Sequence, residues 1–187
     1  ICHARVIWGG DATIRRVREA ALPPRAVEVT FADRYSFAVF SAAAVAATSR
    51  EPKALQRLVQ AFYNDTYLYD QNACTSPQLV VWPGTPDAAE TARRASWQAV
   101  QDEVRAYPVE PVVAVDKLFA VCRTAIAVPG AKFVAGEDNR VVRVTLPRLT
   151  QQLSELRAPG GLFKEFVAPS LDALADVVDE KWQTLVY

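Results

Sequence analysis

The chain has 187 residues, 51% apolar and 22% charged, with 21 basic residues balancing 21 acidic ones. That suits one large globular domain, or one and a half, with a sizeable core. Charge balance excludes the electrostatic footprint of a nucleic-acid or anionic-membrane binder, and the longest apolar run, residues 40–48, is alanine-rich and too short to be a transmembrane segment.

Residues 4–8 predict a buried strand, and Gly9-Gly10-Asp11 a turn into a helix over 12–21 with Asp11 as N-cap, ended by Pro23-Pro24. Strands are expected at 27–31 and 36–40. Leu55, Leu58, Val59, Phe62 and Tyr63 follow helical spacing, giving a helix over 53–67 that starts at Pro52. A polar turn over 69–77 leads to an apolar strand at 78–82. After the turn Pro83-Gly84-Thr85-Pro86-Asp87, a charged helix covers 86–107, and a second helix covers 113–125. Strands follow at 141–145 and 162–167, the latter after Pro159-Gly160-Gly161. A helix over 170–180 should turn Leu171, Leu174 and Val178 inward, and 183–187 is a final strand. Strands alternating with helices imply an α/β fold with a largely parallel sheet flanked by helices.

Cys2, Cys74 and Cys122 are far apart with no CxxC spacing. Neither a disulfide framework nor a zinc site is expected, and a reducing cytoplasm is the simplest home. His3 is the sole histidine. That excludes a histidine-rich metal site and leaves a Cys-His or Ser-His-Asp hydrolase no base but a residue at the chain's start. The sequence begins with Ile1 almost directly in a strand, ends in Leu185-Val186-Tyr187 and lacks methionine. Domains seldom begin or end inside a strand, so an internal piece of a longer protein is expected.

Cys74 lies in a polar turn between an amphipathic helix and a buried strand, with small neighbours Ala73 and Thr75. Such a turn gives a thioester room to approach, and its backbone N–H groups could hold an oxyanion. The alternative is a free cysteine acting as a small hydrophobe. Cys122, on the apolar face of its predicted helix, and terminal Cys2 suit that plainer role. Gly9-Gly10, between strand and helix, would let a phosphate or nicotinamide approach the backbone, or is simply a tight turn, since the full GxGxxG fingerprint is absent. Glu28 is either a general acid or base or part of a solvated strand face. Arg15, Arg16 and Arg18, partly offset by Glu19, make a solvated basic face.

The stretch Asn64-Asp65-Thr66-Tyr67-Leu68-Tyr69-Asp70-Gln71-Asn72-Ala73-Cys74-Thr75-Ser76-Pro77 resembles the LuxC-like acyl-CoA reductases, relatives of the fatty-acid reductase of bacterial luminescence. So do Val6-Ile7-Trp8-Gly9-Gly10-Asp11 and Lys181-Trp182-Gln183-Thr184-Leu185. That family is similar to the aldehyde dehydrogenase superfamily, whose nucleophile stands in an Asn-Gln-Gly-Gln-Cys segment. Here Asp70-Gln71-Asn72-Ala73-Cys74 occupies that place.

The resemblance implies an aldehyde dehydrogenase-like catalytic domain over 41–187 and the end of a nucleotide-binding part over 1–40. It makes Cys74 the nucleophile, places Gly9 and Gly10 beside the nicotinamide half of the cofactor, and puts Glu28 near the superfamily's catalytic glutamate. There, however, Val29-Thr30-Phe31 replaces the rest of that motif. Glu155 stands near the glutamate that holds the nicotinamide ribose. The implied reaction reduces a fatty acyl-CoA or acyl-protein thioester to an aldehyde with NADPH or NADH, through an acyl-cysteine. The implied partners are an acyl-protein synthetase, an acyltransferase and further copies of the protein in a homo-oligomer. The main dinucleotide-binding part, and the asparagine that completes the oxyanion hole, would precede Ile1. Two rival readings are an inert folding or oligomerisation module and an aldehyde-oxidising dehydrogenase, which needs a well-placed activating base.

Overall fold

The computed structural model describes residues 2–134 and 136–187. They form two compact units, the first ending at Arg34 and the second running from Tyr35 to Tyr187.

In the first unit, strands β1 (Ala4–Trp8) and β2 (Val27–Phe31) pair in parallel, joined through helix α1 (Asp11–Arg18). Ile7 and Ile14 are buried, whereas Val6, Trp8, Val27, Val29 and Phe31 are exposed. The strand expected to be buried is therefore open on one face, because alternate residues of a strand face opposite ways and a single helix can cover only one side. Gly10 is the N-cap and makes no side-chain cap; Asp11 is the first helical residue. Arg15, Arg16 and Arg18 fill the last turn, where basic charge favours the helix dipole.

The second unit is a six-stranded sheet in the order β5-β6-β7-β4-β3-β8. The strands are β3 (Tyr35–Val39), β4 (Pro77–Pro83), β5 (Lys132–Val134), β6 (Val142–Thr145), β7 (Leu162–Ala168) and β8 (Trp182–Val186). All pairings are parallel except β5 with β6. Strand β3, expected with the first part of the chain, is thus a strand of the large sheet.

Side chains along β4 alternate between two cores. Val80 and Trp82 pack with residues of helices α2 (Ala42–Thr48), α3 (Pro52–Thr66) and α4 (Pro86–Glu103). Leu79 and Val81 pack with Ala120 of helix α5 (Pro111–Ala127), with Val128 just past it, and with the turn residues Leu153 and Leu174. Burial on both faces explains why 78–82 reads as a continuous apolar run.

Three elements differ from expectation. Helix α2 forms in the alanine-rich run, where Ser41 accepts a hydrogen bond from the Ala44 N–H at 3.4 Å as N-cap. Strand β5 is a short antiparallel edge. The helix expected over 170–180 is only a 3-10 turn, Leu171–Leu174. Leu174 is buried, but Leu171 and Val178 are exposed; aspartates and adjacent valines in Asp176-Val177-Val178-Asp179 are poor helix formers. Among the described residues, no helix is long and apolar enough to cross a membrane.

Candidate active site

Because their pairings are parallel, β3, β4, β6 and β7 all begin at one edge of the sheet, and the segment holding Cys74 crosses that edge just before β4. Helix α3 runs into a 3-10 turn, Tyr67–Tyr69, and the chain then reverses through two residues with left-handed backbone, Asp70 (φ 52°) and Gln71 (φ 58°). Asp tolerates this region well and Gln less so, so tertiary contacts must hold the turn.

Those contacts centre on buried Gln71. Its Nε2 donates to the Pro77 carbonyl at 2.9 Å and the Leu162 carbonyl at 3.0 Å. Its Oε1 accepts from the N–H of Gly161 at 2.9 Å and of Leu162 at 3.1 Å. Its own carbonyl accepts from Gln78 Nε2 at 2.9 Å. Asp70 is held as firmly: its carbonyl accepts from the Gly160 N–H at 2.9 Å, and its Oδ1 from the Tyr107 hydroxyl at 2.6 Å. Burial, reinforced by the Asp70 carboxylate, pushes the Tyr107 phenol above its ordinary range.

Cys74 is partly buried with a free thiol. Its carbonyl accepts from Ser36 Oγ at 2.6 Å, so β3 pins the backbone at the cysteine itself. Two neighbours carry buried polar atoms with no hydrogen-bond partner among the described residues, Ser76 Oγ and Gln78 Oε1.

Beneath the turn, Lys117 of α5 reaches the same edge, where its ammonium donates to the Gly160 carbonyl at 2.7 Å and to the Asn139 carbonyl. Burial lowers its pKa to about 8. Gln71 stood in the sequence only as a member of the motif around Cys74, and Tyr107 had no signal of its own. Lys117 shares a helix face with Ala120 and Thr124, and a lysine at an apolar spacing was the one available clue.

The other expected site residues are placed as follows. Gly9 and Gly10 form the β1–α1 turn. A side chain at Gly10 would meet nothing within 4 Å, while one at Gly9 would meet Thr13 at 3.2 Å. The backbone at Gly10 therefore lies open at the start of α1, with the acidic Asp11 in the helix's first turn. Glu28 receives Arg18 Nε at 2.6 Å and both Arg5 Nε and Nη2. Hydrogen bonds from Arg18, then Arg5, hold its carboxyl below the ordinary range. Glu155 ends a 3-10 turn (Gln151–Glu155) and pairs through Oε1 with Lys181 Nζ at 2.6 Å. Cys122, expected on a buried helix face, is exposed, as is Cys2. Among the described residues, no group of three His, Cys, Asp or Glu could hold a metal ion.

One buried carboxylate was not anticipated. Glu165 of β7 is fully buried. It accepts from Trp82 Nε1 at 3.1 Å, Trp97 Nε1 at 2.7 Å, Arg93 Nε at 2.9 Å and Arg143 Nη1 at 3.3 Å. This saturated cluster ties α4 to strands β4, β6 and β7.

The family model described as acyl-CoA reductase (LuxC) matches residues 2–110. Curated protein sequences yield no match. Among solved structures, the chain is similar to an NAD-dependent benzaldehyde dehydrogenase from Corynebacterium glutamicum, at 15% identity and TM-score 0.56, covering 94% of this chain and 39% of that one. It is similar to lactaldehyde dehydrogenase from Escherichia coli at 10% identity and TM-score 0.59, covering 95% and 39%. It also resembles a variant of aldehyde dehydrogenase C from Pseudomonas syringae, solved with NAD+ and octanal, at 15% identity and TM-score 0.58, covering 91% and 37%. The fold is that of an aldehyde dehydrogenase, and the chain spans about two fifths of the length of these structures.

Proposed function

Because the chain belongs to the acyl-CoA reductase (LuxC) family, we propose that it carries the nucleophile-bearing part of a nicotinamide-dependent thioester reductase. The observation that carries this reading is Cys74 itself: a partly exposed thiol, inside the family-matched segment, on a turn fixed by Gln71, Asp70 and Ser36. A nucleophile on so rigid a support loses little freedom on reaching the attacking geometry.

Cys74 attacks as the thiolate, its Sγ bonding to the thioester carbonyl carbon. The bond from that carbon to the donor sulfur breaks, and the donor departs as a thiol after taking a proton. The acyl group stays on Cys74; thiolate is both a good nucleophile and a good leaving group. NADPH or NADH, when bound, supplies a hydride to the acyl carbon. The tetrahedral oxyanion then re-forms its carbonyl, the carbon–Sγ bond breaks, and the aldehyde leaves while Cys74 returns to thiolate. Backbone at Gly9 and Gly10 would receive the nicotinamide half. The exposed Glu155 carboxylate would take a ribose hydroxyl while Lys181 holds Oε1. A fatty acyl-CoA or acyl-protein thioester is the substrate class, and a reducing cytoplasm keeps the thiol available.

Glu28 favours reduction over oxidation. Oxidation to an acid needs a base that activates water, and a carboxylate held ionised by two guanidinium groups is a weak base. The test is to incubate the full-length protein with radiolabelled acyl-CoA, then add NADPH. Wild type should trap label and release it as aldehyde, and Cys74→Ala should trap none. Undiminished labelling of the variant would sink the proposal.

A further inference from the structure

Helix α5 packs onto the sheet through Lys117, Ala120 and Thr124. Its opposite face should be polar in a solvated helix. Instead Val112, Val115, Phe119 and Ile126 are 65%, 64%, 63% and 82% exposed, with exposed Cys122 completing the row. The steps between these five residues are 3, 4, 3 and 4, the spacing of a helix–helix seam in which alternate positions interlock with a second helix. A continuous apolar stripe of this size marks an interaction surface.

The flanks identify the occupant. Asp116 and Arg123 are exposed and each follows a seam residue by one position. When two copies of α5 pack antiparallel about a two-fold axis, Val115 layers on Ile126 of the second copy and Phe119 on Cys122 of the second copy. In that register Asp116 of each copy faces Arg123 of the other, which makes two ion pairs. On the other flank, Leu118 meets Ala125. A parallel arrangement would leave both charges without an opposite. The face is complementary to itself, so we propose that α5 is a self-association surface that pairs antiparallel with α5 of a second copy. The proposal does not depend on the reaction assigned to Cys74.

In that antiparallel register residues 115–126 of each copy are paired, about three turns, near the lower end of what a specific interface needs, so the dimer should be concentration-dependent. Sedimentation of the chain across a concentration series should show a monomer–dimer equilibrium. Asp116→Arg or Arg123→Asp alone turns both attractive pairs repulsive and should raise the dissociation constant at least about tenfold. The double variant D116R/R123D should restore it. All these positions are on the solvent face of α5, so folding should survive, as circular dichroism would verify. Under mild oxidation Phe119→Cys should give a covalent dimer through Cys122 of the second copy. A monomer at every concentration, a dimer indifferent to the single reversals, a double variant as weak as the singles, or absence of the covalent dimer would overturn the pairing.

Discussion

Gln71 and Leu162, distant in sequence, form a closed two-bond bridge: the Gln71 amide donates to the Leu162 carbonyl at 3.0 Å and accepts from the Leu162 N–H at 3.1 Å. The side chain imitates a β-strand neighbour for the first residue of β7. It thereby anchors the turn that presents Cys74 to the edge of the sheet, and it satisfies buried backbone groups that water cannot reach. The rest of the amide is also used, on Gly161 and Pro77.

Gln71→Ala should therefore destabilise the protein by about 2–4 kcal/mol, because it strands several buried backbone donors and acceptors at once. Gln71→Glu should cost a similar amount, since its carboxylate cannot donate to the carbonyls of Pro77 and Leu162. Urea unfolding monitored by tryptophan fluorescence measures both. A loss near zero for either variant would mean that the turn stands without the bridge.

Glu165→Gln keeps the shape of the buried side chain but removes its charge, leaving Arg93 and Arg143 facing an uncharged partner. Their side chains are only 12% and 19% exposed, so solvent cannot replace the carboxylate. A loss of roughly 3–5 kcal/mol is expected. The measurement is chemical denaturation; a penalty below about 1 kcal/mol would show that the cluster is dispensable.

Lys164, on the strand position before Glu165, faces the opposite core and donates to the Leu156 carbonyl. Burial, aided by the charges of Arg157 and Arg123, lowers its pKa to about 7. Between that value and the ordinary lysine value the unfolded chain binds the proton more readily than the folded one, so stability rises with pH. The gain is at most about 1.4 kcal/mol per pH unit for one such group. Thermal unfolding should shift upward from pH 7 to pH 9 in the wild type, with Lys117 adding a smaller share. Lys164→Met should flatten most of that slope; an unchanged slope would assign it elsewhere.

Two glycines should respond oppositely to the same substitution. At Gly161, with φ +94°, a Cβ would lie 2.0 Å from the Arg140 carbonyl and 2.7 Å from the Tyr67 hydroxyl. Gly161→Ala should abolish folding, read as loss of soluble protein. At Gly10 a Cβ meets nothing within 4 Å, so Gly10→Ala should leave the melting temperature unchanged. If Gly10 receives the nicotinamide, the variant should instead weaken NADPH binding, as fluorescence titration of the full-length protein would report; unaltered binding would leave the glycine a plain turn.

Local pattern was enough for much of the fold. Apolar runs and helical spacing placed β1, β2, β4, β7, α3 and α4 to within a few residues, because these elements are long or bounded by proline and glycine. Pattern failed where context overrode it. The run in α2 reads as an apolar stretch, and its helix becomes clear only with Ser41 seen capping it. The outer face of α5 is as apolar as its inner one, so composition alone could not show that Cys122 and Phe119 point outward.

The order of residues alone singles out the thiol to suspect: Cys74 stands in a motif-bearing polar turn before a buried strand, and one histidine leaves few other chemistries. What holds that thiol was decided only in three dimensions. Gln71, Ser36, Tyr107, Lys117 and Gly161 come from five separate stretches, and they converge because parallel strands start at a common edge. Sequence spacing encodes the periodicity of single elements, whereas hydrogen bonds between buried groups far apart in the chain exist only once the sheet has brought them within reach.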